Sequence, residues 1–233
     1  MILVQAIAQF QHRRDNTCGS HITRRALRRR LPRFLPALDA TGIKEITTSI
    51  DKRTPEIVED ERSWMNDIPT RGQLEWAASV LATYQAIRPH VDSDDEAIDF
   101  IADALLADFG SLFRRFLARR LPRSIMKNRN RAGVAMNAFL EQYGTPWHWR
   151  GKNRPDGGVN VIATRCFYHG FMTAHGEPGL TRVFCHLDTM WTDRLLENSG
   201  GITLKADEMA SFAKGDDHCC FPLVPLGISA ASK

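Results

Sequence analysis

No apolar run in these 233 residues approaches the ~20 that a membrane-spanning helix needs, so the chain is not expected to cross or enter a membrane. Its five cysteines form no evenly spaced framework, and two of them, Cys219 and Cys220, are adjacent. That excludes the disulfide scaffold of a small secreted domain and leaves reduced thiols, catalytic residues or ligands. Paired Cys-x2-Cys or His-x3-His spacing is also missing, so neither a metal nor another cofactor is expected. The apolar opening lacks a basic start and runs into His12, Arg13 and Arg14, the reverse of a secretion signal. A cytoplasmic protein is expected. What is present is ordinary for a globular chain: 43% hydrophobic and 25% charged residues, with a mean hydropathy of −0.31. A chain this long can bury roughly 70% of its unfolded surface, so it needs no staple.

The net charge of +4 hides a gradient. Residues 1–40 carry a local +6, residues 41–155 come to +1, and residues 156–233 come to −3. Within the basic head, Arg24 to Arg33 (RRALRRRLPR) nearly recurs as Arg114 to Arg123 (RRFLARRLPR). In each copy two leucines lie four apart on one helical face among arginines, and Pro32 or Pro122 ends or kinks the helix. Such a face could bind phosphates. Arginine is abundant throughout, however, and cations are favoured near helix C-termini, so two solvated helix faces are the better reading and nucleic acid is not expected as a partner.

Three segments are expected. Residues 1–70 are an Arg-rich, partly irregular segment whose stretch 41–70 reads as a polar linker or loop. Residues 71–143 read as a helical layer. Gln73–Ile87 has Leu74, Ala77, Ala78, Leu81 and Tyr84 at helical spacing and stops at Pro89. Ser93 and Glu96 form a capping box that opens a helix carrying Ile98, Ile101, Ala102 and Leu105. Ser111–Leu121 and Arg131–Tyr143 read as two more helices. Residues 144–233 form an α/β, cysteine-bearing region continuous with that layer. Gly144–Gly158 reads as a loop, 159–168 as a strand followed by a short helix through Ala174, and Leu180–Leu196 as a periodic helix. Ile202–Lys205 and His218–Val224 read as pairing strands. The class is α+β: a mostly helical N-terminal layer packed on a small C-terminal sheet with two helices.

The reactive residues collect in this tail. Cys166 and His169 flank the end of a strand and the start of a helix; Cys185 and Asp188 sit at i and i+3 on one helix face; Cys219 follows the Gly215-Asp216-Asp217 turn. One reading is a thiolate that attacks an electrophilic carbon while His or Asp moves protons. A second is Cys and His holding Zn²⁺ that activates water, a zinc-dependent hydrolase. A third is cysteines serving as small buried hydrophobes. A non-catalytic module that binds a small molecule or senses metal or redox state also fits this tail.

Arg165-Cys166, Phe171, Gly176-Glu177-Pro178-Gly179-Leu180, Phe184-Cys185-His186-Leu187-Asp188, Trp191 and Gly215-Asp216-Asp217-His218-Cys219-Cys220-Phe221 together resemble the L-2-amino-thiazoline-4-carboxylic acid hydrolase family. That family's pattern runs Arg-Cys, an aromatic patch, Phe-Cys-x-x-Asp, then Gly-Asp-x-x-Cys-x-Phe. The likeness covers about residues 159–223; the position after the last cysteine, often acidic in the family, is Cys220. The resemblance implies hydrolytic opening of a small cyclic amidine or amide, 2-aminothiazoline-4-carboxylate to S-carbamoyl-cysteine, at a non-peptide carbon–nitrogen bond. On this reading Cys185 or Cys219 is the nucleophile, Asp188 the acid/base, and Cys166 a third wall of the site. Arg165, Trp191, His169 and Asp216 contact the substrate, with Arg165 meeting a carboxylate and Trp191 covering the ring. A small molecule is the expected partner, and a homo-oligomer stays open.

Overall fold

The computed structural model describes residues 25–108, 140, 143–186, 189 and 202–225. These fall into two compact units that interleave along the chain. Residues 25–108 and 167–186 make a helical unit; 140, 143–166, 189 and 202–225 belong to a unit built on a sheet. The class is α+β, as the sequence implied.

In the helical unit, α1 covers residues 25–34 and ends just past Pro32. Leu27 and Leu31 are buried on its inner side, while Arg25, Arg28, Arg29, Arg30 and Arg33 are exposed. Arg28 pairs with Asp51, and Arg30 Nη1 donates to the Asp103 carbonyl at 3.2 Å. Next comes α2, Ala40–Asp60, in the stretch expected to be an irregular linker. The expectation fails because the apolar stripe is narrow. Only Ile46, Ile50, Thr54 and Ile57 are buried, spaced three to four apart among charged residues, and Pro55 imitates a helix breaker. Asp39 caps the helix by accepting from the Gly42 N–H at 2.8 Å.

Helix α3, Ile68–Ile87, begins at Ile68 rather than Gln73, because Asp67 Oδ1 accepts from the Thr70 N–H at 2.9 Å and Pro69 suits the first turn. Its residues Leu74, Ala77, Ala78, Leu81 and Tyr84 are buried, as their spacing required. Helix α4, Asp94–Asp108, opens on Ser93, whose Oγ accepts from the Glu96 N–H at 3.2 Å; Glu96 in turn accepts from the N–H of Asp92. Ile98, Ile101, Ala102 and Leu105 are buried along it.

Two elements from late in the chain complete this unit: α5, Phe167–Ala174, and α6, residues 181–186. They are held by aromatic packing. Trp64 meets Phe167 and Phe171 edge-on at 5.6 Å each; Tyr168 stacks on Phe184 at 3.8 Å, and Trp76 stands edge-on to both.

The sheet unit has four described strands: β1 (His148–Asn153), β2 (Val159–Arg165), β3 (Ile202–Leu204) and β4 (Cys219–Pro225). They lie in the order β1-β2-β4-β3, all antiparallel. β2, β3 and β4 match the expected strands within a few residues. β1 does not, because Gly144–Gly158 reads as a loop. Its exposed His148, Arg150 and Lys152 around Gly151 give no strand signal, and only pairing with β2 makes it one. One face of the sheet is apolar and buried, with Val159, Val161, Ala163, Leu204, Cys219, Phe221 and Leu223 joined by Leu140. Trp147 and Trp149 stack at 4.9 Å beside it. The helices expected at 111–121 and most of 131–143, and the later part of the 180–196 helix, lie outside the described residues.

Candidate functional site

Strand pairing settles where the sheet's cysteines stand. β2 and β4 are neighbours, and Cys219 is the register partner of Ala163. Because the strands are antiparallel, the end of β2 that leads to Cys166 and the start of β4 lie at the same end of the sheet. This is the adjacency that a shared site at Cys166 and Cys219 would require. Their environments differ. Cys219 is only 4% exposed and belongs to the apolar cluster with Val161, Phe221 and Leu223. Successive strand residues face opposite sides, so the Cys220 side chain is half-buried on the other face, while its backbone pairs with Ala210 along the strand edge. Burial pushes the Cys220 thiol pKa up, and the nearby Arg154 guanidinium offsets this only in part. None of the four described cysteines is in a disulfide.

Cys166 is half-buried and directly precedes Phe167, the first residue of α5, so in the chain it occupies the N-terminal capping position of that helix. Arg165 before it is exposed. Asp216 also lies in this unit, exposed, and its Oδ2 accepts from the Ser211 N–H at 2.7 Å. That bond closes the turn over which Gly215 adopts φ +90°. Asp217 pairs with the neighbouring His218, which holds its carboxyl below the usual range.

In the helical unit, His169 sits in the first turn of α5, partly buried. Its Nδ1 lies 3.4 Å from Thr181 Oγ1, on the first residue of α6. Burial lowers the His169 pKa, so the ring is neutral near pH 7. Thr181 is fully buried. Cys185, half-buried, lies one helical turn beyond it on the same face of α6. Asp188 and Trp191 fall outside the described residues.

The structure therefore groups the sequence-derived residues in two sets. Cys166, Arg165, Asp216 and Cys219 belong to the sheet unit, and His169 and Cys185 to the helical one. Among the described residues, no group of three or more His, Cys, Asp or Glu side chains is placed to hold a metal ion. No helix among them is long and apolar enough to cross a membrane.

Neither the curated proteins nor the solved structures yield a match. A family model does match, over residues 73–223, which takes in most of α3, all of α4, α5, α6, β1, β2 and β3, and most of β4. The name of that family implies hydrolase activity. With well over half of its length matched, the chain belongs to the L-2-amino-thiazoline-4-carboxylic acid hydrolase family.

Proposed function

We propose that the protein opens a small, carboxylate-bearing cyclic amidine of the 2-aminothiazoline-4-carboxylate type by adding one water across a ring carbon–nitrogen bond, with Cys166 as nucleophile. The observation that carries the choice of Cys166 is its position: a half-buried thiol immediately before the first residue of an eight-residue helix. Backbone N–H groups and the helix dipole at such a place favour the thiolate. Cys219, in contrast, is only 4% exposed and belongs to the apolar cluster with Val161, Phe221 and Leu223, which leaves a substrate little approach.

The Cys166 thiolate adds to the ring carbon that is bonded to sulfur and two nitrogens. The bond from that carbon to the ring nitrogen breaks, and the nitrogen leaves as an amine after taking a proton from a general acid. Water then attacks the enzyme-bound carbon, the Cys166 sulfur departs as thiolate, and the product carries the new carbonyl. Asp188 is assigned the proton transfers, and Arg165, next to Cys166 in the chain, the substrate carboxylate.

The test is turnover of 2-aminothiazoline-4-carboxylate by the purified protein and its Cys166→Ala, Cys185→Ala, Cys219→Ala and Arg165→Ala variants. Loss of the nucleophile should lower kcat by at least about 10³-fold. Cys219→Ala should keep kcat within about tenfold and lose stability instead. Full activity in Cys166→Ala refutes the assignment; no turnover by the wild-type protein refutes the substrate class.

A further inference from the structure

We infer that His148 and Arg150 on β1 join Arg165 on β2 in an anion-binding subsite on the exposed face of the sheet, and that this subsite holds the substrate carboxylate. From Trp149 to Asn153 the pairing of β1 with β2 is regular, with Trp149 opposite Ala163 and Arg150 opposite Ile162. One residue earlier it shifts. His148 stands opposite Arg165 instead of Thr164, which makes Thr164 the extra residue of a β-bulge. Side chains alternate along a strand, so without the bulge Arg165 would follow Val161 and Ala163 into the apolar cluster. A guanidinium there would be buried without a partner, at heavy cost. The bulge turns Arg165 to the opposite face, that of its register partner His148, and it is exposed.

Trp149 packs against the apolar cluster, so His148 and Arg150 on either side of it share the second face with Arg165. All three are exposed. His148 and Arg150 are about 6.6 Å apart along the strand; Arg165 lies directly across from the first and diagonally, about 7–8 Å, from the second. Such spacing lets them meet on one small anion, the arginines as bidentate forks and the imidazole through a ring N–H. None of the three has an ion-pair partner among the described residues, whereas Arg28, Arg62, Arg88, Arg154 and Arg182 each lie against a carboxylate. Donors left unpaired together on one face call for an anion from outside the chain. Arg165 leads directly into Cys166, so a carboxylate on the small molecule that meets the thiol fits the position. Ile162, opposite Arg150 and only half-buried, offers apolar ground beside it. That the anion belongs to the substrate rests on the proposed function; the subsite itself does not.

The experiment uses the full-length protein and two readouts. Sulfate, titrated at constant ionic strength, is followed through the His148 ring signals of ¹⁵N-histidine-labelled protein, with His148→Gln assigning them. The wild type should show a saturable shift whose affinity Arg150→Gln and Arg165→Gln each weaken about tenfold. Lys152→Gln, the same loss of charge two residues further along β1, should change it less than about twofold. In turnover of 2-aminothiazoline-4-carboxylate, Arg150→Gln should raise KM about tenfold and His148→Gln about threefold, with kcat little changed. Neither should alter KM for 2-aminothiazoline, which lacks the carboxylate. A sulfate response that never saturates, or that Lys152→Gln weakens as much as the arginine substitutions, overturns the subsite. So does a single-stranded oligonucleotide that binds this face more tightly than sulfate and with steep salt dependence, since the face would then serve a polymer. An unchanged KM for the carboxylate substrate in Arg150→Gln overturns its use for substrate. Wild-type protein that turns over neither compound refutes the proposed function, and the sulfate titration then decides the subsite alone.

Discussion

Gly158, the residue that leads into β2, is where a single methyl group should damage the sheet most. A Cβ built there would lie 2.2 Å from the Leu223 carbonyl oxygen, 3.0 Å from Asp156 Oδ1 and 3.1 Å from Val224 Cα. The first of these is a backbone atom of β4, which is paired on one side with β2 and on the other with β3, so it cannot move alone. Relief requires shifting the start of β2 outward by about 1 Å, given that a comfortable contact is about 3.5 Å or more. That shift weakens the Val159–Leu223 pairing and the bond from the Arg154 N–H to the Gly158 carbonyl at 2.9 Å. Overpacking costs about 1–3 kcal/mol and each hydrogen bond about 1 kcal/mol, so Gly158→Ala should lose about 3 kcal/mol. Gly176→Ala is the control. It has φ +74° and nothing within 4 Å of the new methyl, so only left-handed backbone strain of about 1–2 kcal/mol applies. Urea unfolding followed by tryptophan fluorescence, with Trp147 and Trp149 reporting on the sheet unit, should rank them in that order. A Gly158→Ala loss no larger than that of Gly176→Ala would refute the clash argument.

Burial also orders thiol reactivity. In the native protein Cys219 should react with iodoacetamide at least about 10²-fold more slowly than Cys166, because it must wait for local opening of the sheet. Peptide mass spectrometry reads this directly, and equal rates would contradict the enclosed position of Cys219. Tyr84 should ionise late in an absorbance titration. Burial and its hydrogen bond to Asp94 push its pKa up to about 12. Its proton is held more tightly in the folded state than in the unfolded chain, so this contribution to stability is complete below the ordinary tyrosine range and is lost as pH rises toward about 12. Tyr84→Phe should remove a late step; a titration curve whose high-pH limb is unchanged by that substitution would refute it. Asp94 behaves in the opposite sense. Arg88 first, and Tyr84 second, hold its carboxyl below the usual range. Its contribution is present above the ordinary aspartate range and fades as pH falls through the lower folded-state value, so Asp94→Asn should flatten the acid side of the stability profile.

The helices α3 and α4, the strands β2 and β4 and the α+β class were legible because each announces itself locally. Leu74, Ala77, Ala78 and Leu81 keep helical period, Ser93 and Glu96 mark a start, and Val159, Val161 and Ile162 favour a pleated strand. The two elements misread have tertiary causes. In α2 four buried positions suffice because α3 lies along them, and Pro55 is tolerated in a helix held by that packing. In β1 the decisive partner, β2, is separated by a turn whose Arg154 and Asp156 side chains pair, and nothing in His148–Asn153 itself specifies a strand. The grouping of α5 and α6 with the N-terminal helices rather than with the sheet was likewise invisible, since it depends on Trp64 and Trp76 meeting aromatic rings about a hundred residues later.

For the site, the sequence supplied residues but not their division of labour, and the motif Gly215-Asp216-x-x-Cys219-x-Phe221 illustrates why. Each of its fixed positions has a structural task. Gly215 adopts a left-handed backbone, the Asp216 carboxylate accepts from the Ser211 N–H, and Cys219 and Phe221, two apart on β4, both face the apolar cluster. A single-residue slip of β4 would place Cys220 in that cluster and expose Cys219 instead, so the turn that precedes the strand fixes which thiol is enclosed. Arg165-Cys166 stands in a different setting. β2 ends at Arg165, α5 begins at Phe167, Arg165 is exposed, and Cys166 is half-buried between them. Of these two thiols, the one at this strand-to-helix junction is the more accessible, as the proposed nucleophile has to be. The two motifs look equivalent as strings of letters, yet β4 encloses the thiol of one while the end of β2 leaves that of the other half-buried.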